Sequence, residues 1–232
     1  MRKAMIVWGG WPGHDPDLCA SMIRGWLKQE GFEVRIETTT AAFADPAIHD
    51  LSLIIPIYTM SKIEKPEALN LCTAVRGGVG LAGHHGGMCD AFRESVDYQF
   101  VCGGQWVAHP GNIIDYRVDL TKPDDPITKG LKSFEHRSEQ YYMHIDPANE
   151  VLATTTFSGA RTRPGSRAWS CRWCGSVATG RAACSTARWA TSRRSTTTSR
   201  CAPSSGVGWR GRQGRRSSLR PMLRDARRHA FS

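Results

Sequence analysis

Near residue 160 the chain changes character, and this limits what it can fold into more than any other feature. From Arg161 to Ser232 there is no Ile and no Tyr, Leu and Val occur twice each, Phe occurs once, and Arg, Ser and Thr supply 36 of the 72 residues. Such a stretch buries too little apolar area to offset the entropy of ordering it. A core has to come from the first 160 of the 232 residues. Charge divides at the same place. Residues 1–160 hold 14 Lys+Arg against 20 Asp+Glu, whereas residues 161–232 hold 17 Arg, no Lys and one acid, Asp225. The overall net charge of +10 therefore belongs to the tail. Its arginines lack regular aromatic interleaving and a base-reading helix, so specific nucleic-acid binding is not expected. Cys171 and Cys174 have zinc-ligand spacing, but Cys184 and Cys201 do not form a second close pair, and no zinc is assigned.

An Arg-rich, Lys-free composition with isolated Trp and Cys is what a GC-rich gene gives when read out of frame. The standard genetic code allows a check. Begun two bases later, codons for Ala168–Ser176 can read Val-Val-Met-Pro-Val-Val-Trp-Lys, and those for Ala183–Ser192 can read Val-Phe-Tyr-Ser-Ala-Leu-Gly-His-Val. Those for Arg161–Trp169 can read His-Ala-Pro-Trp-Ile-Ala-Gly-Val. One constant offset gives globular sequence in three places. The expected organisation is an α/β domain over residues 1–160, truncated by a frameshift near Gly159–Arg161, and an out-of-frame, disordered segment over 161–232.

Within the first part, apolar runs alternate with helical periodicity. Ala4–Trp8 reads as a buried strand ending in Gly9-Gly10. Asp15-Pro16-Asp17 then opens a helix, with Asp15 as its cap, and Leu18, Met22 and Trp26 recur at helical spacing up to Gly31. Phe32–Ile36, Leu51–Tyr58, Val79–Gly83, Ile113–Leu120 and Val151–Phe157 read as strands and Pro66–Arg76 as a helix, while Ser133–Asn149 reads as a polar, loop-rich stretch. This rhythm predicts an α/β fold with a mostly parallel sheet covered on both faces. Ligand sites in such sheets gather at the carboxyl ends of the strands. The polar clusters Trp8–Asp15, Tyr58–Lys62 and His84–Asp90 fall there.

No apolar stretch reaches membrane-spanning length, and Met1–Val7 runs into Gly9-Gly10 too soon for a signal peptide. Scattered cysteines fit a reducing compartment, so a cytoplasmic location is expected. The string Gly9-Gly10-x-x-Gly13 is neither a dinucleotide fingerprint nor a phosphate-binding loop, and no nicotinamide or ATP is assigned.

Two long segments, Gly80-Leu-Ala-Gly-His-His-Gly-Gly-Met-Cys-Asp-Ala-Phe92 and Tyr98-Gln-Phe-Val-Cys-Gly-Gly-Gln-Trp-Val-Ala-His-Pro-Gly111, are distinctive. So are Ser138-Glu-Gln-Tyr-Tyr-Met-His144 and Glu150–Phe157. With these segments, residues 3–160 resemble the bacterial trehalose-utilisation (ThuA-like) family, within the class I glutamine amidotransferase-like superfamily. The resemblance implies a flavodoxin-like three-layer sandwich, whose C-terminal part the frameshift would disrupt. The family would continue with strings like those of the shifted frame. Amidotransferases carry a cysteine nucleophile at a Gly-x-Cys-x-Gly turn. The matching string here is Gly83-His84-His85-Gly86-Gly87, with His85 at the nucleophile position and Cys89 four residues later. Thiol-based glutamine hydrolysis is therefore not expected; an imidazole there suits proton transfer or metal binding.

His85, His109 and Glu139 are the candidate catalytic residues. Glu139 or His85 would take a proton, and His109 would support developing oxygen charge or return a proton. Trp11, His14, Gln105, Trp106, Tyr141 and His144 are candidate substrate-binding residues. Gln105, Trp106 and His109 sit in a glycine-flanked loop whose mixture of amide, flat apolar face and imidazole suits a sugar. His14 is also read as a metal ligand, and Glu139 as the best carboxylate for a base or a ligand. The competing readings are a solvent-exposed loop histidine for His14, helix packing or a satisfied buried imidazole for His85, loop packing for Trp106, and a structural hydrogen-bond network for Glu139, Tyr141 and His144. The expected function is carbohydrate chemistry, in trehalose or related metabolism, by acid–base or metal-assisted action on an oxidised sugar. A divalent metal is admitted as cofactor, a small carbohydrate is the expected partner, and a homo-oligomer fits the reading. The rival is a noncatalytic carbohydrate-binding or interaction protein using the same cleft.

Overall fold

The computed structural model describes residues 1–157, together with the backbone of 169–179 and 182–186. In chain order the elements are β1 (Arg2–Gly10), α1 (Pro16–Gln29), β2 (Phe32–Glu37), β3 (Leu53–Thr59), α2 (Lys65–Gly77), β4 (Gly80–Gly83), α3 (Gly86–Cys89), α4 (Val96–Cys102) and β5 (Gly104–Ala108). They are followed by β6 (Ile113–Leu120), β7 (Phe134–Glu139), β8 (Tyr142–Ile145), β9 (Glu150–Phe157), β10 (Trp169–Thr179) and β11 (Ala182–Thr186).

The main sheet has the order β2-β1-β3-β4-β11-β10-β9-β6-β7. Its first five strands run parallel, and the remainder extends them antiparallel. The period-two alternation of β1 divides the core into two layers. Met5 and Val7 join Ile54, Leu71, Val75 and Phe92 on the face covered by α2 and α4, while Ala4 and Ile6 join Ala20, Leu27, Ile55 and Ile57 on the face covered by α1. This is the three-layer α/β sandwich the alternating pattern predicts. At α2 the Glu64 backbone N–H donates to Glu67 Oε2 at 3.0 Å, which satisfies a donor at the helix start, and Gly78 closes the other end at φ 114°.

Several elements differ from the sequence reading. Ser133–Asn149 is not chiefly loop, because it supplies β7 and β8. Gln105 and Trp106 lie on β5, which pairs antiparallel with β8 as a separate two-stranded ribbon. The His, Glu, Gln and Tyr of Ser133–Asn149, and Gln105 between the glycines and Trp106 of β5, give these segments a loop's polarity, but the backbone ladder forms regardless. Asp15 does not cap α1 with its side chain; it occupies the left-handed region at φ 45°.

The main sheet also takes in backbone from beyond residue 160. β10 pairs with β9 from Trp169↔Phe157 to Ser176↔Glu150, and β11 pairs in parallel with β4. Residues 169–173 alternate in polarity through Trp169, Cys171 and Trp173, and ladder pairing requires only backbone groups. The rest of the expected disordered segment, including Cys201 and the arginines beyond residue 186, lies outside the described residues.

The turn after β4 depends on close backbone approach. A Cβ on Gly87 would lie 2.8 Å from Ile57 Cα, and one on Gly86 would lie 2.6 Å from Thr59 Cγ2. Gly87→Ala must push α3 off β3 and is expected to cost about 2 kcal/mol, in the range of overpacked cores. Urea denaturation would read this as a lowered midpoint; an unchanged midpoint would contradict the close packing.

Candidate active site

His85 sits at the turn between β4 and α3 with φ 53° and ψ −149°. A non-glycine residue there costs on the order of 1–3 kcal/mol and is held only where surrounding structure enforces it. Gly86 and Gly87, packed on β3, provide that enforcement. The sharp strand-to-helix turn presents the His85 ring at the carboxyl end of the sheet, the place that the likeness of Gly83-His84-His85-Gly86-Gly87 to the amidotransferase turn implies. His85 is 6% exposed.

Three other segments converge on this ring. Glu139, at the end of β7, places Oε2 3.1 Å from His85 Nε2. The Tyr141 hydroxyl lies 3.0 Å from His85 Nδ1 and 3.1 Å from Nε2. His14, in the loop after β1, meets His85 edge-on with ring centroids 4.3 Å apart. His14 is itself oriented by Thr59, whose Oγ1 is 2.9 Å from its Nδ1. His109 approaches from the end of β5, with Nε2 3.9 Å from the second Glu139 oxygen. Glu139 thus stands between two imidazoles, His85 on one oxygen and His109 on the other.

Aromatic side chains border this polar centre. Trp106 lies 5.6 Å from His109 and 5.9 Å from Tyr141 between ring centroids, and the Arg93 guanidinium covers the indole at 4.4 Å. Arg93 is tethered by Asp90. Trp11, half exposed, packs edge-on against His14 at 4.7 Å. Trp106 Nε1 and His109 Nδ1 are buried and have no hydrogen-bond partner among the described residues.

Of the residues picked from sequence, Trp11, His14, His85, Trp106, His109, Glu139 and Tyr141 come together. Gln105 and His144 do not. They pair across β5 and β8, are both exposed, and occupy the ribbon face opposite Trp106 and Met143. Strand alternation separates them from neighbours that adjacency in sequence seemed to join. Thr59 and Arg93 were not singled out. Thr59 fell within the Tyr58–Lys62 cluster at a strand's carboxyl end, which was the available signal; Arg93 had none.

His84 is partly buried. Burial, with a smaller contribution from the charge of His14, pushes its imidazole down to about 4, so it is neutral at neutral pH. Thiol chemistry has no support nearby, because Cys89 is buried in α3 and burial pushes the more distant Cys72 thiol up to about 11. His14, His85 and Glu139 offer ligand atoms within 4.8 Å of one another, the one such trio of metal-ligating groups among the described residues. The arrangement provides a carboxylate base, adjacent imidazoles and a set of metal-binding atoms.

A family model described as ThuA, trehalose utilisation, matches residues 3–187. The chain belongs to this family. The match passes residue 160 and takes in β10 and β11. Among solved structures, a ThuA-like protein of Parabacteroides merdae is similar with a TM-score of 0.64 and 16% identity, covering 80% of this chain and 78% of that one. A ThuA-like protein of Bacteroides uniformis is similar with a TM-score of 0.62 and 16% identity, covering 79% of this chain and 80% of that one. At such identities the likeness speaks for the fold of this ThuA-family chain. No curated protein matches it in sequence. No helix among the described residues is long and apolar enough to cross a membrane.

Proposed function

We propose that this ThuA-family protein acts in the cytoplasm on trehalose or a related carbohydrate, by proton transfer at carbon beside the carbonyl of an oxidised sugar. The observation that carries the reading is Glu139 bracketed by His85 and His109 next to an indole face. A sugar ring has an apolar face that stacks on indole and a rim of hydroxyls. Those hydroxyls would satisfy Trp106 Nε1 and His109 Nδ1, which the described residues leave unpartnered.

Oxidation of one sugar carbon to a carbonyl acidifies the adjacent C–H. Glu139 takes that proton as the C–H bond pair becomes the enolate, and His109 or Tyr141 donates a hydrogen bond to the oxygen where charge develops. Return of a proton to carbon gives isomerisation; departure of a group from the next carbon gives elimination. His85, locked by its backbone and by Tyr141, holds the carboxylate in place.

The test is incubation with keto forms of trehalose and related glycosides in heavy water, followed by NMR. Deuterium appearing next to the carbonyl, or a new sugar product, is expected at a catalytic rate. Stoichiometric sugar binding with neither exchange nor product would instead establish a noncatalytic carbohydrate-binding protein.

A further inference from the structure

We infer that His14, His85 and Glu139 form a binding site for one divalent first-row transition ion of the zinc class, with open positions for a sugar oxygen. The ion's role toward a sugar carbonyl rests on the preceding reading; its binding does not.

Two imidazoles and one carboxylate are borderline ligands that suit such ions over magnesium or calcium, and three protein ligands are what catalytic zinc sites use when a coordination position stays open. The three groups arrive from separate parts of the chain, the loops after β1 and β4 and the end of β7, and their ligand atoms lie within 4.8 Å of one another. Coordination at about 2.1 Å brings cis ligand atoms to about 3.0–3.4 Å of each other, which small side-chain rotations of His14 and Glu139 supply. The surroundings are those of a metal centre as well. Thr59 holds His14 through Nδ1, so an ion is bound through Nε2. The Tyr141 hydroxyl contacts the His85 ring, and His109 faces the other Glu139 oxygen. Glu139 binds the ion through Oε2, on the His85 side, and Oε1 remains toward His109. An ion held there would supply polarisation of a sugar carbonyl, and proton transfer would be left to the Glu139–His109 pair.

The full chain, stripped with a chelator and dialysed, is titrated with Co2+ and read by visible absorption and by metal analysis. One equivalent per chain with ligand-field bands, displaced by one equivalent of Zn2+, is expected. His14→Ala is expected to weaken binding at least a hundredfold and Thr59→Val about tenfold, since Thr59 only orients a ligand. Thr59→Val removes no ligand and fills similar volume, so it guards against a folding artefact. His144→Ala, on the exposed ribbon face, should bind as the unaltered chain does. Binding no tighter than that of His14→Ala, or equal losses in His144→Ala, would overturn the site. Stoichiometric Co2+ binding without sugar turnover would leave the metal site standing and reject the carbohydrate chemistry. Unchanged turnover in chelated protein that binds no ion would do the reverse.

Discussion

Glu139→Gln is expected to lower turnover of an oxidised sugar by about a thousandfold. The substitution keeps the shape of the side chain and its ability to accept a hydrogen bond, but removes the basicity. Loss of a general base costs about 10²–10⁴ in rate, and a thousandfold corresponds to about 4 kcal/mol of transition-state stabilisation. Glu139 is also the group on which His85 and His109 converge, at 3.1 and 3.9 Å. Its removal therefore disables both proton partners at once, and a His109→Ala change added to Glu139→Gln should cost little more. Folding should persist, since the carboxylate is partly exposed and Gln140 Nε2 still donates to Thr155 Oγ1 at 2.7 Å. Gln105→Ala provides the comparison, because Gln105 is exposed on the far face of β5 and should leave turnover within about twofold, as ordinary surface changes do. Turnover in Glu139→Gln within tenfold of the unaltered chain would remove Glu139 from the chemistry.

The sequence reading captured those parts of the fold where one physical signal dominates. β1, β3 and β4 are short apolar runs ending in glycine or polar clusters, and the structure places their carboxyl ends at the site, as parallel α/β sheets require. His85 was placed by the resemblance of Gly83-His84-His85-Gly86-Gly87 to the amidotransferase turn, whose glycines allow close backbone approach, and the backbone at φ 53° is compatible with it. The ribbon of β5 and β8 was hidden because its outward residues, Gln105 and His144, are as polar as a loop's. The same polarity drew both of them into the candidate set, and the structure puts them on the ribbon face opposite Trp106 and Met143. Thr59 and Arg93 act through orientation of His14 and coverage of Trp106, contacts between segments distant in sequence that no local pattern encodes. Pairing of β10 and β11 is not legible in composition, which measures side-chain burial, whereas a ladder is made by the backbone.

Restoring the shifted reading frame from about Gly159 is expected to raise thermal stability by about 6 °C or more. β11 lies between β4 and β10, parallel to β4, with Thr186 opposite Gly83. Interior strands of parallel sheets are normally runs of large apolar residues. The written strand, Ala182-Ala-Cys-Ser-Thr186, is small and polar. The shifted frame over Ala183–Ser192 replaces it with Val-Phe-Tyr-Ser-Ala-Leu-Gly-His-Val, and each fully buried large side chain contributes about 1.5–3 kcal/mol. Two such gains sum to at least about 3 kcal/mol, and each kcal/mol moves the midpoint by about 2–4 °C in a chain of this size. The shifted string also carries a histidine a few residues beyond the level of Thr186. Because β11 runs parallel to β4, that histidine would fall at the same end of the sheet as His85, and the corrected chain should gain activity as well as stability. The two versions are to be compared by soluble yield, thermal melting and sugar turnover, with the coding DNA sequenced across residues 155–165. The family match extends through residue 187 in the written frame, so the opposite result is a real alternative. Equal melting temperatures and equal turnover would show that β10 and β11 function as written and that residues 161–186 are native sequence.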